Sequence, residues 1–95
     1  MAELTPYDPF PFLTQIAVLF TTLSPVIEQW VKERTDARAQ HIMITRIKHL
    51  KHYCKRNNLV RKPDGIAIAV KLLFKDLDDN HQFELTQLLD DELDK

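Results

Sequence analysis

A single glycine, Gly65, occurs in the whole 95-residue chain. Tight turns with positive φ are built most readily on glycine, so its scarcity argues against a hairpin-rich β architecture and against phosphate-cradling loops alike. The chain therefore reads as helical. Its length is room for one domain. A composition of 44% hydrophobic and 28% charged residues is that of a folding chain, not a disordered one. The lone cysteine, Cys54, excludes an internal disulfide framework and suits a reducing, cytoplasmic compartment.

Residues 1–11 contain Thr5-Pro6, Asp8-Pro9 and Phe10-Pro11 and read as an extended lead-in, because proline fixes φ and biases the preceding residue away from helix. Residues 12–95 then form one helical domain. From Phe12 to Leu23 the chain is apolar nearly all round, as in a buried or lipid-facing helix. Ser24-Pro25 is an N-cap followed by proline at the first helical position, and it opens a long central helix over about 25–57. Within that helix Met43, Ile47, Leu50 and Cys54 recur at i, i+4, i+7 and i+11 on one face, whereas 32–40 reads as a solvated bridge. Turn chemistry at Asn57-Asn58 and Lys62-Pro63-Asp64-Gly65 precedes a third helix over about 65–77. That helix is expected at the centre of the core, since only Lys71 is polar between Ile66 and Phe74. Asp79 and Gln82 fit a capping box opening a fourth helix over about 80–93. The expected fold is all-α: a small bundle of about four helices around one long one. Residues 41–93 form a three-helix portion sharing Met43, Ile47, Leu50, Ile66, Val70, Leu73, Phe74, Leu77, Leu85, Leu88 and Leu89 as core.

Charge is segregated. Residues 1–31 carry −3, residues 32–40 carry +1, residues 41–63 carry +7 with no acid, and residues 64–95 carry −6. The basic surface centres on Arg46, Lys48, Lys51, Lys55 and Arg56. It can pair with nucleic-acid phosphates, but lysine and arginine on a helix supply affinity without reading sequence. A helix-turn-helix is disfavoured by the long 58–65 connection and by the apolar helix after it. The more ordinary expectation pairs the basic helix with the acidic C-terminus, relieving the unfavourable dipole at the end of the last helix.

The 19 uncharged residues from Pro9 to Ile27 approach the roughly 20 that a bilayer crossing needs, which would leave the C-terminal part cytoplasmic. Their prolines, threonines and Gln15 dilute the run, and burial against protein is the preferred reading. Segment 12–31 is thus an apolar docking or membrane segment, with Phe12, Ile16, Leu19, Phe20, Leu23, Ile27 and Trp30 as its partner-binding residues. An apolar helix that its own chain cannot cover seeks a partner, so a protein partner or a homo-oligomer is expected.

Asp76, Asp78, Asn80 and Glu84 resemble four ligand positions of an EF-hand calcium loop, with Phe83 apolar where that is usual. The resemblance spans twelve residues and departs where it matters most. His81 stands where the turn requires glycine, and Gln87 stands where a bidentate glutamate closes the site. Calcium is therefore not expected. His49 and His52 lie three apart on a helix, but zinc needs further ligands and the surrounding residues are basic. No cofactor, metal site or catalytic residue is expected. Cys54 continues the apolar stripe, and no neighbouring acid or histidine is placed to activate it. The resulting expectation is a non-catalytic helical interaction protein, with a single-pass membrane protein or a nucleic-acid-associated regulator as alternatives.

Overall fold

Ser24 and Pro25 start the first helix as their chemistry dictates. Ser24 Oγ accepts a hydrogen bond from the Ile27 amide at 3.3 Å, and Pro25 occupies the first turn, where its missing N–H costs nothing. This computed structural model describes residue 18 and residues 20–94, and residues 25–94 form an all-α bundle of four helices. They are α1 (Pro25–Arg34), α2 (Ala37–Arg56), α3 (Gly65–Leu73) and α4 (Asp79–Leu93), with a short 3₁₀ turn at Leu59–Arg61. No strand occurs among the described residues. The lead-in 1–11 and most of the expected helix over 12–23 lie outside them.

The expected long helix is not continuous. Thr35 adopts an extended conformation (φ −137°, ψ 154°), and Asp36 caps a new helix by accepting from the Ala39 amide at 2.9 Å. Thr35 Oγ1 donates to the Val31 carbonyl at 2.7 Å, satisfying one of the last acceptors of α1. A straight helix over 25–57 would carry Ile27, Trp30 and Val31 away from the bundle. The break instead packs α1 against α2 and α4, and all three side chains enter the core. Burial of one tryptophan and two β-branched residues outweighs the few helical hydrogen bonds forgone at Thr35.

Ile47, Leu50 and Cys54 are fully buried, as the stripe on α2 requires, and they meet Ile66, Val70 and Phe74 from α3 and Leu85 and Leu89 from α4. Met43, Leu77 and Leu88 are only partly buried. Helix α3 stops at Leu73, short of the expected 77, and Phe74 turns its ring into the core from the C-cap position. Helix α4 begins one residue earlier than expected. Asp78, not Asp79, is its N-cap and accepts from the His81 amide at 2.8 Å. Gln82 does not close a capping box but donates through Nε2 to the carbonyls of Phe74 (2.8 Å) and Leu77 (3.1 Å), bracing the α3–α4 connection.

The turns manage with one glycine because Asn58 (φ 55°) and Asp64 (φ 56°) take the left-handed conformation, which short polar side chains tolerate. Gly65 does not have positive φ. Its role is close approach: a Cβ there would sit 2.5 Å from the Leu59 carbonyl oxygen.

Candidate interaction surface

Of the seven side chains expected to bind a partner, Phe12, Ile16 and Leu19 lie outside the described residues. Phe20 is 79% exposed. Leu23, Ile27 and Trp30 are buried in the chain's own core, which corrects the expectation that these three side chains of segment 12–31 are open to a partner. The cover comes from the break at Thr35 and Asp36, which folds α1 back on its own chain. Val18, upstream of α1, is buried as well.

Two polar clips hold α1 in place. In the first, Lys51 Nζ donates to Glu92 Oε2 at 2.5 Å and to the Thr22 carbonyl at 2.7 Å, while the Ser24 amide donates to Glu92 Oε1 at 3.1 Å. Both charged side chains are mostly enclosed. In the second, Trp30 Nε1 donates to Glu84 at 2.9 Å, and Arg34 pairs with the same carboxylate at 3.1 Å with its guanidinium 4.9 Å from the indole centre. The indole hydrogen bond, together with the charge of Arg34, holds the Glu84 carboxyl below its ordinary value. For Glu92, burial pushes the pKa up, but the hydrogen bonds from Lys51 and Ser24 outweigh it and the net shift is downward.

A pH dependence follows. A carboxylate whose pKa is lower in the folded than in the unfolded chain adds stability at pH above its unfolded value, and loses it as pH falls through its folded value. The denaturation midpoint should therefore hold steady at neutral pH and begin to fall once pH drops past the ordinary glutamate value of 4.5. Unfolding curves read from indole fluorescence at successive pH values check this. A Glu92→Gln variant should flatten the acid limb, and an unchanged limb would mean that the Lys51 clip is not formed.

The basic surface is partly consumed within the chain. Arg46 makes a bidentate pair with Asp76 (3.0 and 2.9 Å), donates to the Leu73 carbonyl at 2.7 Å and lies 4.3 Å from the centre of the Phe74 ring. The hydrogen bond from Arg46 holds the Asp76 carboxyl below its usual range. Lys51 is committed to Glu92 and Thr22. Lys48 is half-buried, and Lys55 and Arg56 are exposed. The acidic final third of the chain thus faces the basic helix at two points, which leaves a thinner cationic face for phosphates than the sequence suggests.

The four residues of the calcium-like pattern have other employment. Asp76 holds Arg46, Asp78 caps α4, Asn80 lies in the first turn of α4, and Glu84 holds Trp30 and Arg34. Among the described residues no three His, Cys, Asp or Glu side chains are grouped to hold a metal. A groove of about 490 Å³ opens between the C-terminal ends of α2 and α4, bordered by Lys51, Lys55, Arg61, Glu92 and Asp94. Cys54 lies at its wall, where burial pushes the thiol up to about 11 and keeps it protonated.

The feature that sequence reasoning missed is the outer face of α3. One side of this helix packs Gly65, Ile66, Ala69 and Val70 into the core. The other side leaves Ile68 and Leu72, one turn apart, 56% and 59% exposed, with Ala67 and Lys71 also open to solvent. Leu73, expected in the core, is 47% exposed. A helix apolar all round is normally enclosed on all sides, and α3 is enclosed on one. The early stop at Leu73 shortens α3 to nine residues beside helices of 20 and 15, so its neighbours cover one side of it only. Among the described residues no helix is long and apolar enough to cross a membrane. No protein-family model, no curated protein and no solved structure matches the chain significantly.

Proposed function

We propose that the chain is a non-catalytic, cytoplasmic helical interaction protein whose docking surface is the outer face of α3. The observation that carries this reading is the exposure of Ile68 and Leu72 on a helix with a single polar residue between Ile66 and Leu73. Covering what remains exposed of these two side chains is worth about 1–2 kcal/mol each, which favours a partner binding there. Leu23, Ile27 and Trp30 are taken up by the chain's own core and contribute only by supporting the bundle. A buried, protonated Cys54 agrees with a reducing compartment and with a structural rather than a nucleophilic thiol.

The test is a photoreactive amino acid placed in cells at Leu72 and, as a control, at the exposed Gln29 of α1. The expected result is an adduct of defined mass from position 72 that is absent from position 29. Equal yields from both positions, or none from either, would sink the proposal.

A further inference from the structure

We infer that the occupant of the α3 face is a second copy of the same chain, its α3 lying antiparallel across a two-fold axis. The inference rests on the proposed docking role of this face and adds the partner and the register. Charge is placed unevenly around the apolar stripe. Asp64 stands at the N-cap position of α3 without a side-chain capping bond and Lys75 lies two residues past its end, both exposed, with Ile68 and Leu72 between them. Asp90 of α4 borders the same end as Asp64, alongside Lys62, while at the other end the charge of Arg46 is taken up by Asp76. The stripe therefore runs from acidic, through apolar, to basic.

Such a surface is complementary to its own copy in one direction only. An axis level with Ala69 and Val70 brings Asp64 to about the level of the second copy's Lys75, which lies just past the helix, and Ile68 within one residue of that copy's Leu72. Lys71 then lies about one turn from the second copy's Asp64, where its long stem covers the apolar contact and its ammonium stays wet. Parallel pairing would set Asp64 against Asp64 and Lys75 against Lys75. The two-fold arrangement is the isologous form that closed dimers adopt, with residue i meeting j and j meeting i.

A nine-residue helix is roughly 13 Å long. The contact is thus smaller than the roughly 1,200 Å² at the lower end of standard interfaces, and the dimer exchanges with single chains at micromolar or higher concentration.

Sedimentation of the full chain without detergent, over tens to hundreds of micromolar, tests this. The expected mass rises with concentration towards twice that of one chain. Ile68→Glu, at an exposed position that leaves the helix folded by circular dichroism, should hold the mass at one chain. Lys75→Asp should weaken association about tenfold, because two symmetric carboxylate pairs then face each other. Adding Asp64→Asn, which tolerates the same left-handed backbone, should recover most of that loss. A wild-type chain that stays single at the highest concentration overturns the proposal, as does a dimer indifferent to Ile68→Glu. Stronger association on Lys75→Asp overturns the antiparallel register. A single-chain mass combined with a Leu72 adduct to a different protein would leave the docking role standing and remove only the second copy, whereas no adduct at all removes both.

Discussion

Replacing Trp30 by alanine is expected to cost about 3–5 kcal/mol, the largest loss from any single side chain of α1. The indole is 92% buried by its own chain. It packs edge-on to His81 (6.2 Å between ring centres, 83° between planes), carries the Arg34 guanidinium on its face and donates to Glu84. Alanine removes the volume and leaves Glu84 and Arg34 without the surface that orients them. A domain of this size has about 5–15 kcal/mol of stability in all, so the variant should unfold at a much lower urea concentration. Trp30→Phe keeps a ring and loses only the N–H, so its loss should be clearly smaller. Urea titrations followed by circular dichroism measure both. An alanine variant with an unchanged midpoint would mean that α1 does not dock on α4, and the account of the broken helix would fall with it.

Gly65→Ala should be destabilising by about 1–3 kcal/mol, against the ordinary expectation for a helix. At a solvent-facing helical site, alanine in place of glycine gains about 0.5–1 kcal/mol. Here the new Cβ meets the Leu59 carbonyl oxygen at 2.5 Å, and the Cβ atoms of Leu59 and Lys62 at 3.1 and 3.2 Å. The nearest of these belongs to backbone, which cannot rotate away, so α3 must move off the 3₁₀ turn. The exposed neighbour Ala67 supplies the control. Ala67→Gly should lose only the ordinary helical preference, about 0.5–1 kcal/mol. Chemical denaturation of the two variants separates contact from propensity by sign, and a stabilised Gly65→Ala chain would refute the close approach.

What could be read from the residues divides along physical lines. Ser24-Pro25, the Ile47–Leu50–Cys54 stripe and the turn residues 57–58 and 62–65 were legible because capping, periodicity and turn chemistry are local properties. The break at Thr35 and Asp36 was not. Both residues are acceptable N-caps, yet the flanking segments are equally helical, and the choice is made by burial of Ile27, Trp30 and Val31 against residues more than fifty positions away. Asp78 rather than Asp79 as the cap is the usual one-residue uncertainty at a helix end. The candidate surface was hidden for a different reason. Composition marks α3 as apolar but is silent on which side has no neighbour. That depends on α2 and α4 covering only the Ile66, Ala69 and Val70 side, with Phe74 plugging the end.

The reach of the first clip has a bearing on how the chain is made. The Ser24 amide and Glu92 are 68 positions apart, and Trp30 and Glu84 are 54 apart. A ribosome delivers the N-terminal third first, so Ile27, Trp30 and Val31 can meet α2 across the two-residue break as soon as it follows, but their seat is finished only when the last turn of α4 has left the exit tunnel. Helices α2, α3 and α4 join neighbours close in sequence and can assemble early, since short loops close at little entropic cost. The α4 side of the α1 seat is then the last to close, and a nascent chain stalled before Glu84 would leave Trp30 Nε1 without its carboxylate and the indole only partly covered.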